Sequence, residues 1–97
     1  MEKMVRDKIP EILNRLGKTA VFRKAQRSEV LPFLIAKLRE ECSEFEAENT
    51  LEEMADILDV VEEIISHLSF SSTELQNVRR AKVCDRGSFK THTIMTI

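Results

Sequence analysis

Glu41, Glu44, Glu53 and Asp56 are acidic side chains placed symmetrically about a point between Glu48 and Asn49. If the chain reverses there, Glu41 comes opposite Asp56, Glu44 comes opposite Glu53, and four carboxylates converge. Such a cluster repels itself unless a hard cation neutralises it. Magnesium, which keeps several waters and favours phosphate-bearing partners, is the expected ion. Residues three apart lie about 60° from one another around a helix, so each acidic pair shares a face. Relative to the neighbouring apolar stripes, Glu41 and Glu53 stand nearest the core and are expected to be innermost, whereas Glu40 turns furthest toward solvent. A plainer reading also fits the spacing: acids three apart often form a solvated face, and Glu53 could be spent on capping a helix at Thr50.

The chemistry therefore depends on two helices meeting. The first of them, capped by Ser28 and with Pro32 in its first turn, carries Leu31, Leu34, Ile35, Leu38, Cys42 and Phe45 on one stripe. After a short polar break at Glu48 to Thr50, the second runs from Leu51 to about Leu68 with Met54, Ile57, Leu58, Val61, Ile64, Ile65 and Leu68 on its apolar side. A link that short requires the two helices to be antiparallel. Before them, a short helix opens at Pro10 and stops at Gly17. After them, another begins at Ser71, with Glu74 at capping-box spacing, and runs to about Asp85 before Gly87. The expected fold is all-α: an antiparallel helical hairpin within a four-helix arrangement, with short extended segments near residues 18–26 and 88–97.

Composition agrees. Only two glycines and two prolines interrupt the chain, and its 97 residues with 42 % apolar content suit one small domain spanning 1–97. Acids crowd residues 40–63, and Arg79, Arg80, Lys82, Arg86 and Lys90 form a basic run, yet the formal net charge is only -2. That balance argues against nucleic acid as the main partner. No apolar run is long enough to span a bilayer, so no membrane role is expected. Cys42 and Cys84 have no metal-ligand or redox spacing, and the chain has no secretory apolar region, so a reducing cytoplasmic compartment is expected. Cys42 is expected to be a packed thiol, and the Met and Phe residues core, with Phe22 and Phe89 also able to stack on a base.

The stretch REECSEF followed by EEMADIL resembles the EExxE and ExxD signature of the all-α nucleotide pyrophosphohydrolases, the MazG-like and phosphoribosyl-ATP pyrophosphohydrolase-like superfamily. Glu40, Glu41 and Glu44 match the first element; Glu53 and Asp56 match the second. VRDKIPEIL near the start and RGSF at Arg86 to Phe89 resemble segments flanking the signature in small members, so the resemblance covers most of the chain. It implies a helical homodimer or homotetramer holding magnesium on Glu41, Glu44, Glu53 and Asp56. The implied reaction cleaves a nucleoside triphosphate, non-standard or deoxy forms included, between the α and β phosphates to give a monophosphate and pyrophosphate. Glu40 and Glu41 are the candidate catalytic acids, Glu40 as a water-orienting group. The link between the two motif halves is shorter than in many relatives.

Triphosphate recognition needs cations besides magnesium, and Arg6, Lys8, Lys82 and Arg86 are the candidates. Lys37, one turn before Glu41, is placed to balance its charge. Two other functions fit the same acids: hydrolysis of phosphoribosyl-ATP in histidine biosynthesis, and a non-catalytic helical module whose acidic face docks a basic partner.

Overall fold

The computed structural model describes all of residues 1–97 and contains four helices and no strand: α1 (Ile9–Arg15), α2 (Arg27–Ala47), α3 (Leu51–His67) and α4 (Ser72–Arg86). Only α2 and α3 pack against one another, forming the expected hairpin. The linker is set locally. Asn49 Nδ2 donates to the Phe45 carbonyl at 2.6 Å, stopping α2, and Thr50 Oγ1 accepts from the Glu53 N–H at 3.2 Å, starting α3. Acids in the first turn of α3 and His67 in its last are placed favourably on the helix dipole.

Two local readings need correction. The cap of α2 is Gln26 rather than Ser28: the Glu29 N–H donates to the Gln26 backbone carbonyl at 2.9 Å, and Glu29 Oε1 accepts from the Gln26 N–H at 3.0 Å. Glutamine is an uncommon cap, so serine drew the prediction. The earlier start moves Pro32 from the first turn to the sixth helical residue, where it removes the bond to the Ser28 carbonyl. Ser28 is exposed, so water can take that acceptor. Pro10, likewise, follows Ile9 instead of opening α1.

The segments at 18–26 and 88–97 form no strand, because neither finds a partner backbone. Residues 1–8 instead lie along the hairpin, held by side chains: Lys3 Nζ is 3.1 Å from Glu40 on α2, and Arg6 Nη2 reaches Asp56 and Asp59 on α3. Arg23 adds a fork, donating to both Glu2 and Glu29. α1 and α4 pack against no other helix. The core is correspondingly thin: Leu34 is the one buried apolar residue, and Cys42, Phe22, Phe70 and Phe89 are exposed instead of packed. The apolar stripes of α2 and α3 continue past the hairpin seam, where Ile35, Met54 and Leu58 stay exposed. No helix is long and apolar enough to cross a membrane.

Candidate metal centre

α2 presents Glu41 and Glu44, α3 presents Glu53 and Asp56, and one carboxylate oxygen of each lies within 4.8 Å of the others. The hairpin thus gathers all four acids expected to converge. Their environments differ. Glu41 is 4 % exposed, Glu53 and Asp56 are half-buried, and Glu44 is exposed.

Glu41 Oε1 lies 3.2 Å from Lys37 Nζ, but Glu41 Oε2 and Glu53 Oε2 are buried without any hydrogen-bond partner. Buried polar atoms in folded proteins are nearly always satisfied, and an orphaned carboxylate oxygen is costly. Glu53 is not consumed by capping: its backbone N–H donates to Thr50, while its carboxylate takes no hydrogen bond in return. The two orphaned oxygens belong to the two acids placed closest to the core, one on each helix. They are what a hard, oxygen-seeking cation would satisfy.

The electrostatics separate the neighbouring acids. Burial pushes the Glu41 carboxyl above its ordinary range; Lys37 opposes the rise, and the nearby charges of Glu44 and Asp56 add to it. Glu40 behaves oppositely. Burial would raise it, but hydrogen bonds from Lys3 and Lys37 outweigh that and hold it below the ordinary value. Glu40 is therefore a lysine-clamped acid, not the solvent-facing one its helix bearing implied. Burial works to lower Lys37, and its bonds to Glu41 and Glu40 prevail, leaving it firmly charged. Six carboxylates (Glu40, Glu41, Glu44, Glu53, Asp56 and Asp59) face three cations (Lys3, Arg6 and Lys37) across this site. The excess of negative charge leaves room for a divalent ion.

The candidate phosphate-binding cations divide. Arg6 is at the cluster, 2.6 Å from Asp56 Oδ1 and 2.8 Å from Asp59 Oδ2, and both bonds hold its guanidinium protonated. Lys8 is exposed at the start of α1 and forms no ion pair. Lys82 and Arg86 ride on α4, which packs against neither hairpin helix, and neither contacts any of the four acids; Arg86 pairs only with Asp85, at 3.8 Å. Within one chain they are not part of the site. Asp59 and Lys3 were missed by sequence reasoning. A signal existed for Asp59, which follows Asp56 at the same three-residue spacing. None existed for Lys3, whose partner is 37 residues away. Comparison of the chain with family models, with curated proteins and with solved structures finds no match.

Proposed function

We propose that this protein is a magnesium-dependent nucleotide pyrophosphohydrolase that converts nucleoside triphosphates, non-standard or deoxy forms included, to the monophosphate and pyrophosphate in the cytoplasm. One observation carries the reading: four carboxylates from two antiparallel helices meet within 4.8 Å, and buried oxygens of two of them have no partner. The motif resemblance to the MazG-like superfamily, which rests on the same acids, supports it. Glu41, Glu44, Glu53 and Asp56 would hold magnesium, which supplies charge to the phosphate oxygens and acidity to a bound water.

The remaining work falls to the chain. Glu41, made more basic by burial, suits proton acceptance; Glu40, clamped between Lys3 and Lys37, is a weaker base and suits orienting water. Arg6 is the cation at hand for phosphate oxygens.

The protein works in this reading as a homodimer or homotetramer. The isolated chain exposes 8938 Å², whereas a compact monomer of 11.2 kDa exposes about 5,700 Å². That excess, on the order of 3,000 Å² per chain, is large enough for an obligate interface. A second copy could also bring Lys82 and Arg86 to the acids.

The test is a pyrophosphate-release screen over standard and modified ribo- and deoxyribonucleoside triphosphates with and without magnesium. The expected result is magnesium-dependent release, abolished in E41A, E44A, E53A and D56A with helicity retained by circular dichroism. Turnover retained in all four variants, or none from any nucleotide with the wild type, overturns the reading.

A further inference from the structure

Arg6 is the one cation that bonds a member of the acid cluster from outside the two helices carrying it. A single nitrogen, Nη2, makes both of its bonds, to Asp56 Oδ1 at 2.6 Å and to Asp59 Oδ2 at 2.8 Å. That nitrogen carries two hydrogens, so each acid takes one. The acids are not equivalent. Asp56 belongs to the four converging carboxylates, whereas Asp59 lies outside them, one helical step along α3 and more exposed. The chain that presents Arg6 is itself anchored, since Lys3, three residues earlier, holds Glu40 on α2. Residues 3–6 therefore span the hairpin as a strap with one cation on each helix.

A carboxylate that already accepts from a guanidinium is a poorer ligand for a divalent cation, because two like charges would then share one acid. Relief is built into the site. Arg6 can give up Asp56 and remain on Asp59 with little movement, since the second bond exists already.

We propose that Arg6 is a resident counter-ion of the acid cluster that exchanges with the divalent ion at Asp56 and, retained by Asp59, turns its freed N–H toward a phosphate oxygen of the substrate. The inference rests on the metal-site reading above and deepens it, making Arg6 a competitor of the metal and a ligand of the phosphate in turn. Loading of the site and readiness for the anion are thereby coupled through one side chain. Asp59 is a positioning residue in this scheme, acting only through Arg6.

The consequence is a pair of effects of opposite sign, which a merely structural arginine would not produce. Free Mn²⁺, standing in for magnesium, is counted by electron paramagnetic resonance during titration of the 97-residue chain. R6Q is expected to bind Mn²⁺ about three- to fivefold more tightly than wild type, the upper part of the range for an exposed ion pair removed from competition. R39Q, which removes the same charge from an exposed position on α2 that forms no ion pair, should stay within about twofold of wild type on the same scale. With Mn²⁺ saturating, inorganic pyrophosphate titrated by calorimetry should bind R6Q at least about tenfold more weakly, the cost of losing a charge-assisted contact. D59N should share that loss of pyrophosphate affinity without the tighter Mn²⁺ binding.

The outcomes separate. If wild-type chain binds no Mn²⁺, the metal-site reading falls and this inference falls with it. If wild type binds Mn²⁺ but R6Q binds no more tightly, or R39Q gains as much as R6Q, the exchange is overturned while the metal site stands. If R6Q binds Mn²⁺ more tightly yet keeps wild-type pyrophosphate affinity, the turn toward phosphate is overturned.

Discussion

Glu41 shows how one residue can work against the fold that positions it. It is the only buried charged side chain, one of its oxygens has no partner, and burial lifts its carboxyl above the ordinary range. The folded state therefore disfavours its ionised form. E41Q, which keeps the shape and removes the charge, is expected to raise the melting temperature at neutral pH without magnesium and to abolish the rise that magnesium gives the wild type. A lower melting temperature for E41Q in metal-free buffer would show that the Lys37 contact outweighs the burial cost.

Glu29 is the converse case. Arg23, assisted by the Gln26 N–H, holds its carboxyl down to about 2 against an ordinary 4.5. Its folded value is depressed, so its contribution to stability is present above 4.5 and lost as pH falls toward 2. R23Q should accordingly melt below wild type at pH 7, with the gap narrowing between pH 4.5 and 2. Thermal melts across that range by circular dichroism check it, and a gap that does not change with pH would refute it.

At the scale of the helices, the same stop is built twice with different residues. After α1, Gly17 has φ +71°, its N–H meets the Asn14 carbonyl at 3.1 Å, and the Lys18 N–H meets the Leu13 carbonyl at 2.9 Å. After α3, Ser69 has φ +56°, with its N–H on Ser66 at 3.0 Å and the Phe70 N–H on Ile65 at 3.1 Å. Both are Schellman stops, which need a left-handed residue one place beyond the cap. Serine holds that conformation at a cost glycine does not bear. S69G is therefore expected to stabilise the chain by about 1 kcal/mol, measured as a shift in urea midpoint with an unchanged slope; a lower midpoint would contradict it.

The pair also shows what the sequence makes legible. Gly17 announces its stop, and Thr50 with the apolar face of α3 announces that helix, because those signals are local in the chain. Glutamine at position 26 and serine at 69 perform the same jobs with residues that statistics do not favour, so the start of α2 and the place of Pro32 were misread. The convergence of the four acids was legible because a three-residue link fixes the hairpin register. The bonds from Lys3 and Arg6 were not, because they join residues 37 to 53 positions apart with no pattern between them.

For the whole molecule, apolar residues are plentiful in the sequence but burial is scarce in the fold. Only Leu34 and Glu41 are buried, the radius of gyration is 17.4 Å, and a compact chain of this length would have about 12.5 Å. Leu58, Val61 and Ile65 on α3 line an open groove, and Leu58 is 59 % exposed. On α4, Val78 and Val83 are each more than half exposed. In the proposed assembly a further copy supplies the cover that so thin a core lacks, with a surface of matching composition. Sedimentation equilibrium at micromolar concentration should therefore return a multiple of 11.2 kDa. L58D should weaken that association by about 3 kcal/mol per dimer, more than a hundredfold in Kd, because each copy loses a buried leucine and gains a charge that must stay wet. A wild-type chain that sediments as a monomer with a cooperative melt would overturn the assembly. If L58D dissociates but keeps full magnesium-dependent pyrophosphate release, a single hairpin suffices for the chemistry, and Lys82 and Arg86 have no part in it.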